Sequence, residues 1–339
     1  MNLLLRQVEE LSTLAPINLY TDPAFLDVIA TVYHAGKKCR VRDYVVDGDI
    51  FRLLEVEGIG PLTSQRFIDM HESLGRVPGD APRLRALPRL EGVGGPLVPL
   101  KDFCQLPGWK DLFGAPTLLW SEFPTWEDYL HYSRRALVED RRRGRRLREL
   151  VGEPEFVADD DAADVLPTCF AWKSERLLSL GLPDLFANPL HQRFFHELRE
   201  RKLLRASTLR ARGEILSIWL GAVHSGRWTG WSFAFNPDPA LARMAPGQQI
   251  IPPMLEWSYR EKHAEFDFSI GLEPYKLKFA THVRPITMAG TPPFKQRAAA
   301  VARRLLAQHP RLQEQARALR RRLSHSLVAP AKALAPRQN

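Results

Sequence analysis

The sequence predicts an α+β fold in which mixed, mostly antiparallel sheets are flanked by helices. Runs rich in β-branched and aromatic residues, Val41 to Val46, Ile50 to Val56 and later most of 203–235, are separated by tight Asp-Gly, Arg-Gly and Ser-Gly turns. Between them lie amphipathic segments that open on a cap followed by proline, as at Asp22-Pro23 and Asn188-Pro189. The 339 residues, 45% hydrophobic and 26% charged, suit about two globular domains with an ordinary core.

Taken in order, Asp22-Pro23 starts a helix with Phe25, Leu26, Ile29 and Tyr33 at helical spacing, and Asp47-Gly48-Asp49 turns the first hairpin. A Pro- and Gly-rich stretch from Gly75 to Pro116 follows. Its Gly92-Val93-Gly94-Gly95-Pro96 has no Lys-Ser/Thr after it and so is a poor phosphate loop. Thr125-x-x-Asp128 is a capping box for a helix with Trp126, Tyr129, Leu130, Leu137 and Val138 on one face. That helix runs on into Arg141-Arg142-Arg143-Gly144-Arg145-Arg146, either a solvated face or a basic wall beside a polyanion. Acidic residues 153–164 mark a domain boundary. Beyond it, helices over 165–181 and 189–202 lead into strands 203–212, 214–224 and 227–235, which Arg212-Gly213 and Ser225-Gly226 fold into a meander. A loop or short helix, then Pro246-Gly247-Gln248-Gln249 and a helix from Pro252 to Lys262, reach the strand that begins at Phe266. The expected division is 1–151, 152–290 and a helical tail, 291–339.

The net charge of +9 belongs to the tail. From Phe294 onward there are eleven Lys or Arg and one acid, Glu314, leaving 37 basic and 38 acidic residues for the rest. The body is therefore near neutral, which argues against nucleic acid as a partner, and the tail could rest on an anionic membrane. Cys39, Cys104 and Cys169 are scattered, without metal or disulfide spacing, which fits a reducing cytoplasm; no metal site is expected. No stretch approaches a signal peptide's apolar region or a membrane span.

From Phe266 to Phe279 the chain begins apolar, breaks at Gly271 and gathers Glu273, Tyr275 and Lys276 just past the break. A strand that ends this way can aim polar side chains into a cleft. The order of helices, meander, loop, helix and strand resembles the Gcn5-related N-acetyltransferase (GNAT) fold. Ser207 to Glu214, Phe235 to Arg243, Pro246-Gly247 and Phe266 to Lys276 resemble the CelD/BcsL branch of bacterial acyltransferases, relatives of the FemAB peptidyltransferases, over about residues 120–285. The resemblance implies a tandem GNAT-like architecture whose degenerate N-terminal half is 1–151 and whose acyltransferase half is 152–290. It also implies acyl-CoA as cosubstrate and a cytoplasmic enzyme, peripheral to the inner membrane face if the tail binds lipid.

Acyl transfer to an amine needs a base for the ammonium, an acid for the leaving thiolate and a cradle for the coenzyme's pyrophosphate. Glu273 and Asp267 are the base candidates and Tyr275 the acid. Gly247, Gln248, Gln249 and Ile250 are the cradle, although Pro252-Pro253 removes two N–H donors there, and Lys276 and Trp231 are substrate contacts. His191, His196 and His224 lie on amphipathic elements and read as structural. The acceptor implied is an exopolysaccharide or cellulose-pathway sugar, or a lipid amine such as a sphingoid base, as in ceramide-type N-acylation. The alternatives are a FemAB-like transferase using aminoacyl-tRNA and a non-catalytic scaffold.

Overall fold

Asp22 accepts the Ala24 N–H at 2.7 Å ahead of Pro23, and this cap starts helix α1, Pro23–Tyr33. The computed structural model describes residues 19–62, 70–77, 85–86 and 89–290. The hairpin β1 (Cys39–Val46) and β2 (Asp49–Val56) turns at Asp47 and Gly48, both with positive φ. It belongs to a small sheet with β3 (Gly60–Pro61), β5 (Gly75–Arg76) and β6 (Arg85–Ala86). Then come β4 (His71–Glu72), β7 (Arg89–Gly94), β8 (Val98–Pro99), helix α2 (Leu100–Phe103) and β9 (Phe113–Leu119).

Both halves of the predicted capping box form: the Thr125 hydroxyl accepts the Asp128 N–H at 3.1 Å and Asp128 accepts the Thr125 N–H at 3.0 Å. The helix they start does not run through. It is α3, Trp126–Tyr132, and it breaks at Ser133, whose hydroxyl turns back onto the Tyr129 carbonyl at 2.8 Å. A separate helix α4, Arg134–Val151, follows, and Val138, expected on the buried face, is 57% exposed.

After β10 (Glu155–Val157), helices α5 (Val165–Ser179) and α6 (Pro189–Glu200) precede β11 (Arg205–Ala211), β12 (Glu214–His224) and β13 (Arg227–Phe235). The three strands pair antiparallel, turning at Arg212-Gly213 and Ser225-Gly226, all with positive φ. Two one-turn helices, α7 (Pro239–Ala242) and α8 (Pro246–Gln249), then α9 (Ile251–Arg260), lead to β14 (Glu265–Asp267), α10 (Pro274–Leu277) and β15 (His282–Gly290). The strand expected from Phe266 is thus only three residues long.

The larger sheet has ten strands among the described residues, in the order β10-β11-β12-β13-β14-β9-β15-β7-β4 with β8 beside β15. β13 and β14 are parallel, whereas β9, from the first half of the chain, is antiparallel to both its neighbours, β14 and β15. The sheet therefore runs across the 151/152 boundary, and the described residues fall in one compact unit ending at Gly290. The tail and its apolar stripe lie outside the described residues. One face of the sheet buries Ile218, Leu220 and Ala234 under α1, α5 and α6, with Phe25, Phe170, Phe194 and Phe195. The other buries Leu209, Trp219, Trp228 and Phe266 under α3, α4 and α9, with Tyr129, Leu147, Met254 and Leu255. No described helix is long and apolar enough to cross a membrane.

Candidate active site

The parallel joint between β13 and β14 is short. Arg227, Trp228 and Thr229 pair with Glu265, Phe266 and Asp267, and the pairing ends there. Beyond Asp267 the chain stays with β9: the Phe268 N–H donates to the Pro116 carbonyl at 3.0 Å and the Gly271 N–H to the Gly114 carbonyl at 2.9 Å. The rest of β13, from Gly230 to Phe235, is left without a strand on that edge. A wedge-shaped gap opens in the sheet with Thr229 and Asp267 at its apex and α10 across its mouth.

The one-turn helix α10 splits its side chains between the two faces. Tyr275 packs toward the α9 face, its ring 6.3 Å from that of Phe233. Burial, then the neighbouring Glu273, push its hydroxyl well above the usual phenol range, so it stays protonated at neutral pH. Lys276 is 6% exposed. Its Nζ donates to the Ile270 carbonyl at 3.0 Å and pairs with Glu273 at 3.0 Å. Glu273, at the helix start, has half of its side chain exposed and is open to solvent.

Asp267 is enclosed. Oδ1 accepts the Ser269 N–H at 2.7 Å, and Oδ2 is buried with no hydrogen-bond partner among the described residues. Burial raises its pKa, opposed by Arg227 and Arg284. Those arginines belong to a buried network that the sequence did not reveal. Arg227 meets Glu72 at 2.6 Å and Glu265 at 2.8 Å, while Arg284 meets Glu265 at 2.9 Å. β4, β13, β14 and β15 each supply one of these four residues, so the network ties the apex to both halves of the chain. It lay beyond sequence reasoning because its members are far apart and each looks like an ordinary surface charge.

The segment expected to cradle pyrophosphate is largely occupied with itself. The Gln248 and Gln249 N–H groups both donate to the Ala245 carbonyl, at 2.8 and 3.2 Å, and the Ile250 N–H returns to Gln248. Pro252 and Pro253 contribute no donor to the start of α9. Gly247 is pressed against Phe233: a Cβ there would lie 2.1 Å from its ring. α4 also holds both glutamines. Arg143 donates to the Gln248 side chain at 3.3 Å, and Gln249 donates to the Asp140 carbonyl at 3.1 Å beside Gly144, where a Cβ would sit 2.6 Å from Gln249 Oε1. The segment therefore presents side-chain amides and few free peptide donors.

Trp231 stands apart from the others. It packs with Tyr20 and Phe25 on the α1 face, and its indole N–H donates to the Tyr20 hydroxyl at 2.9 Å. Tyr275, Lys276 and Glu273 thus come together at the mouth, Asp267 sits at the apex, and Gly247 lies against Phe233. A cavity of about 390 Å³ opens between α3, α4 and α9, lined by Trp126, Leu130, Leu147, Pro253, Arg141 and Gln249. Of the predicted cradle, Gln249 is part of its wall.

Parts of the chain are similar to known proteins. Residues 134–277, which span α4, the meander, the gap and α10, match the family model described as acetyltransferase (GNAT) domain. The fold is GNAT-like. The structure of FemX aligns over 84% of this chain and 95% of its own with a TM-score of 0.51 and 9% sequence identity. A conserved protein of unknown function from Bacteroides thetaiotaomicron VPI-5482 aligns over 84% of this chain and 96% of its own, with a TM-score of 0.44 and 12% identity. A search of curated protein sequences returned no match. The GNAT match begins at Arg134, so it takes in all of α4, which the sequence division had assigned to the first unit.

Proposed function

We propose that the chain is an acyltransferase that works in the gap between β13 and β14, taking the acyl group from acyl-CoA and passing it to an amine of a cell-envelope precursor. The observation that carries this reading is the unpaired edge of β13 from Gly230 to Phe235, faced by a one-turn helix bearing a protonated phenol, a solvent-reaching carboxylate and a lysine. An open strand edge pairs readily with extended amide-bearing ligands, and the pantetheine arm is one. In the step proposed, the amine nitrogen attacks the thioester carbonyl, a C–N bond forms and the C–S bond breaks. The amine proton passes to Glu273, directly or through water, and Tyr275 protonates the departing thiolate. Asp267 is too enclosed to meet an acceptor, so the base role falls to Glu273.

The CelD/BcsL resemblance is the support for an envelope acceptor, either a polysaccharide-pathway sugar or a sphingoid-type lipid amine, and for action at the cytoplasmic face of the inner membrane. A second donor keeps a place because of α4. Arg134, Arg135, Arg141, Arg142, Arg145 and Arg146 are exposed on it, and none has a partner among the described residues. Such a ridge suits a polyanion, including the aminoacyl-tRNA of a FemAB-like reaction. Thermal-shift and turnover assays with acetyl- to palmitoyl-CoA and amine acceptors decide between them. The proposal expects a chain-length-dependent rise in Tm and free thiol released with product. Absence of both, with binding of charged tRNA, transfers the assignment to the second donor; absence of all three leaves a scaffold.

A further inference from the structure

The cavity between α3, α4 and α9 combines apolar walls with one unbalanced charge. At about 390 Å³ it lies within the range of small-molecule sites, roughly 300–1,000 Å³. Trp126, Leu130, Leu137, Leu147, Pro253 and Leu255 line it. Two local features keep the space. The chain breaks at Ser133, so α3 and α4 supply separate walls. Gly144 has no side chain to fill the α4 wall, and a Cβ there would meet Gln249 Oε1 at 2.6 Å. None of Thr229, Asp267, Glu273, Tyr275 and Lys276, which make the gap, lines the cavity. The ionisable residues in its wall are Asp140, Arg141, Arg148, Glu153 and Glu256. Arg148 pairs with Glu153 at 3.6 Å, Glu256 pairs with Arg260, and Asp140 is engaged within the protein. Arg141 is exposed and has no partner among the described residues. It belongs to a stripe along α4, Arg134, Val138, Arg141, Arg145 and Arg148, whose members recur at the i,i+3 and i,i+4 spacing of one helix face. Two of the five, Arg141 and Arg148, line the cavity, and Val138 is exposed between the arginines.

Apolar walls that meet water favour an apolar occupant, and a cationic edge favours an anionic one. A chain with a negative head offers both at once. We infer that the cavity binds the hydrocarbon chain of a single-chain anionic amphiphile, whose head group is held by Arg141 and Arg145 at the opening. A carboxylate or phosphate monoester accepts two hydrogen bonds from one planar guanidinium, and these two unpaired arginines stand one turn apart. A cationic or neutral head would leave both of them unanswered. A methylene takes about the room of a water molecule, ~30 Å³, so about 390 Å³ accommodates a chain of about a dozen carbons. The site does not rest on the acyltransferase reading, because the gap and the cavity share no lining residue among those named for the chemistry.

The test titrates the full chain with sodium laurate by isothermal titration calorimetry, below the concentration at which laurate forms micelles. Wild type is expected to bind one laurate per chain. Decanoate and octanoate should bind more weakly, by about three-fold for each methylene removed, which is what burying a methylene contributes. Dodecyltrimethylammonium, with the same chain and the opposite charge, should bind about ten-fold or more weakly than laurate. Dodecyl phosphate tells the two heads apart: whichever of it and laurate binds tighter identifies the natural head as phosphate or carboxylate. Leu130→Trp, which fills the cavity, should weaken laurate by about ten-fold or more, and so should Arg141→Glu, which reverses the charge at the opening. Arg135→Glu, off the stripe, should leave the affinity as it is. If Leu130→Trp fails to fold, the chain-length series on wild type and the contrast between Arg141→Glu and Arg135→Glu decide. No laurate binding, equal affinity in Arg141→Glu or in a folded Leu130→Trp, or a trimethylammonium head that binds as tightly overturns the site. A dimer in sedimentation equilibrium that binds no laurate would give the cavity to a second copy of the chain. A protein that binds laurate in this manner and gives no response to acyl-CoA would keep this site while sinking the acyltransferase reading, and the reverse result would do the opposite.

Discussion

Glu273 and Tyr275 sit two positions apart on the same turn, yet their surroundings differ, and the proposed mechanism uses that difference. Half of the Glu273 side chain is exposed, which suits a proton acceptor, whereas burial holds the Tyr275 hydroxyl protonated. Glu273→Gln is expected to lower kcat by about ten-fold or more with little change in the KM for acyl-CoA, and Tyr275→Phe to lower kcat most for thioesters with the poorest leaving groups. Steady-state kinetics on both variants checks this; an unchanged kcat in Glu273→Gln removes it as the base. At the apex, Glu72→Ala would leave Arg227 and Arg284 short of a buried counter-charge. A loss of about 3–5 kcal/mol in urea unfolding is expected. Another residue-scale effect is set by pH. Arg210 grips two acids, with Asp164 at 2.8 Å and Asp160 at 2.6 Å. The Arg210 hydrogen bonds hold Asp164 below the usual carboxylate range; at Asp160, burial pushes upward and the bonds from Arg210 and Thr208 outweigh it. Their folded pKa values lie below the unfolded ones, so their stabilisation is complete above about pH 4–5 and is lost as pH falls through the folded values. Arg210→Met should therefore flatten the fall in stability below pH 5 in urea melts, and an unchanged slope would contradict the assignment.

At the scale of elements, what could be read from the sequence was whatever is decided within a few residues. Asp22-Pro23, Thr125 with Asp128 and Asn188-Pro189 all cap helices, and the two turns of the meander adopt the positive φ values that their residues favour. The same local reasoning missed the break at Ser133. Trp126 through Val138 keeps an almost continuous helical period, and it is the packing of Tyr129 among Trp120, Phe123 and Trp126 that sets α3 apart from α4. The close packing of the Pro-Gly segment was not legible either. The chain closes it into the one-turn α8, where Gly247 allows Phe233 to press in and Gly144 lets Gln249 reach α4. Gly144→Val should push α4 away from α8 and cost about 1–3 kcal/mol, measured by chemical denaturation.

For the whole molecule, the sheet order decides what can stand alone. A fragment covering 152–290 would lack β9, leaving facing edges of β14 and β15 unpaired and Phe266, Phe268 and Val283 without part of their cover. That fragment is expected to be insoluble or molten, while co-expression with 1–151 restores a cooperative melt. Independent folding of 152–290 would show that β9 is dispensable. The placement of β9 also bears on how the protein is made. A ribosome releases Phe113 to Leu119 well before the two strands that will enclose them, and at ordinary elongation rates the wait is on the order of ten seconds or more. Throughout that interval a strand with five of its seven residues destined for burial has neither neighbour to pair with. The nascent chain is thus a natural client for a holding chaperone, and its yield should respond to translation speed between codons 120 and 265 more than elsewhere.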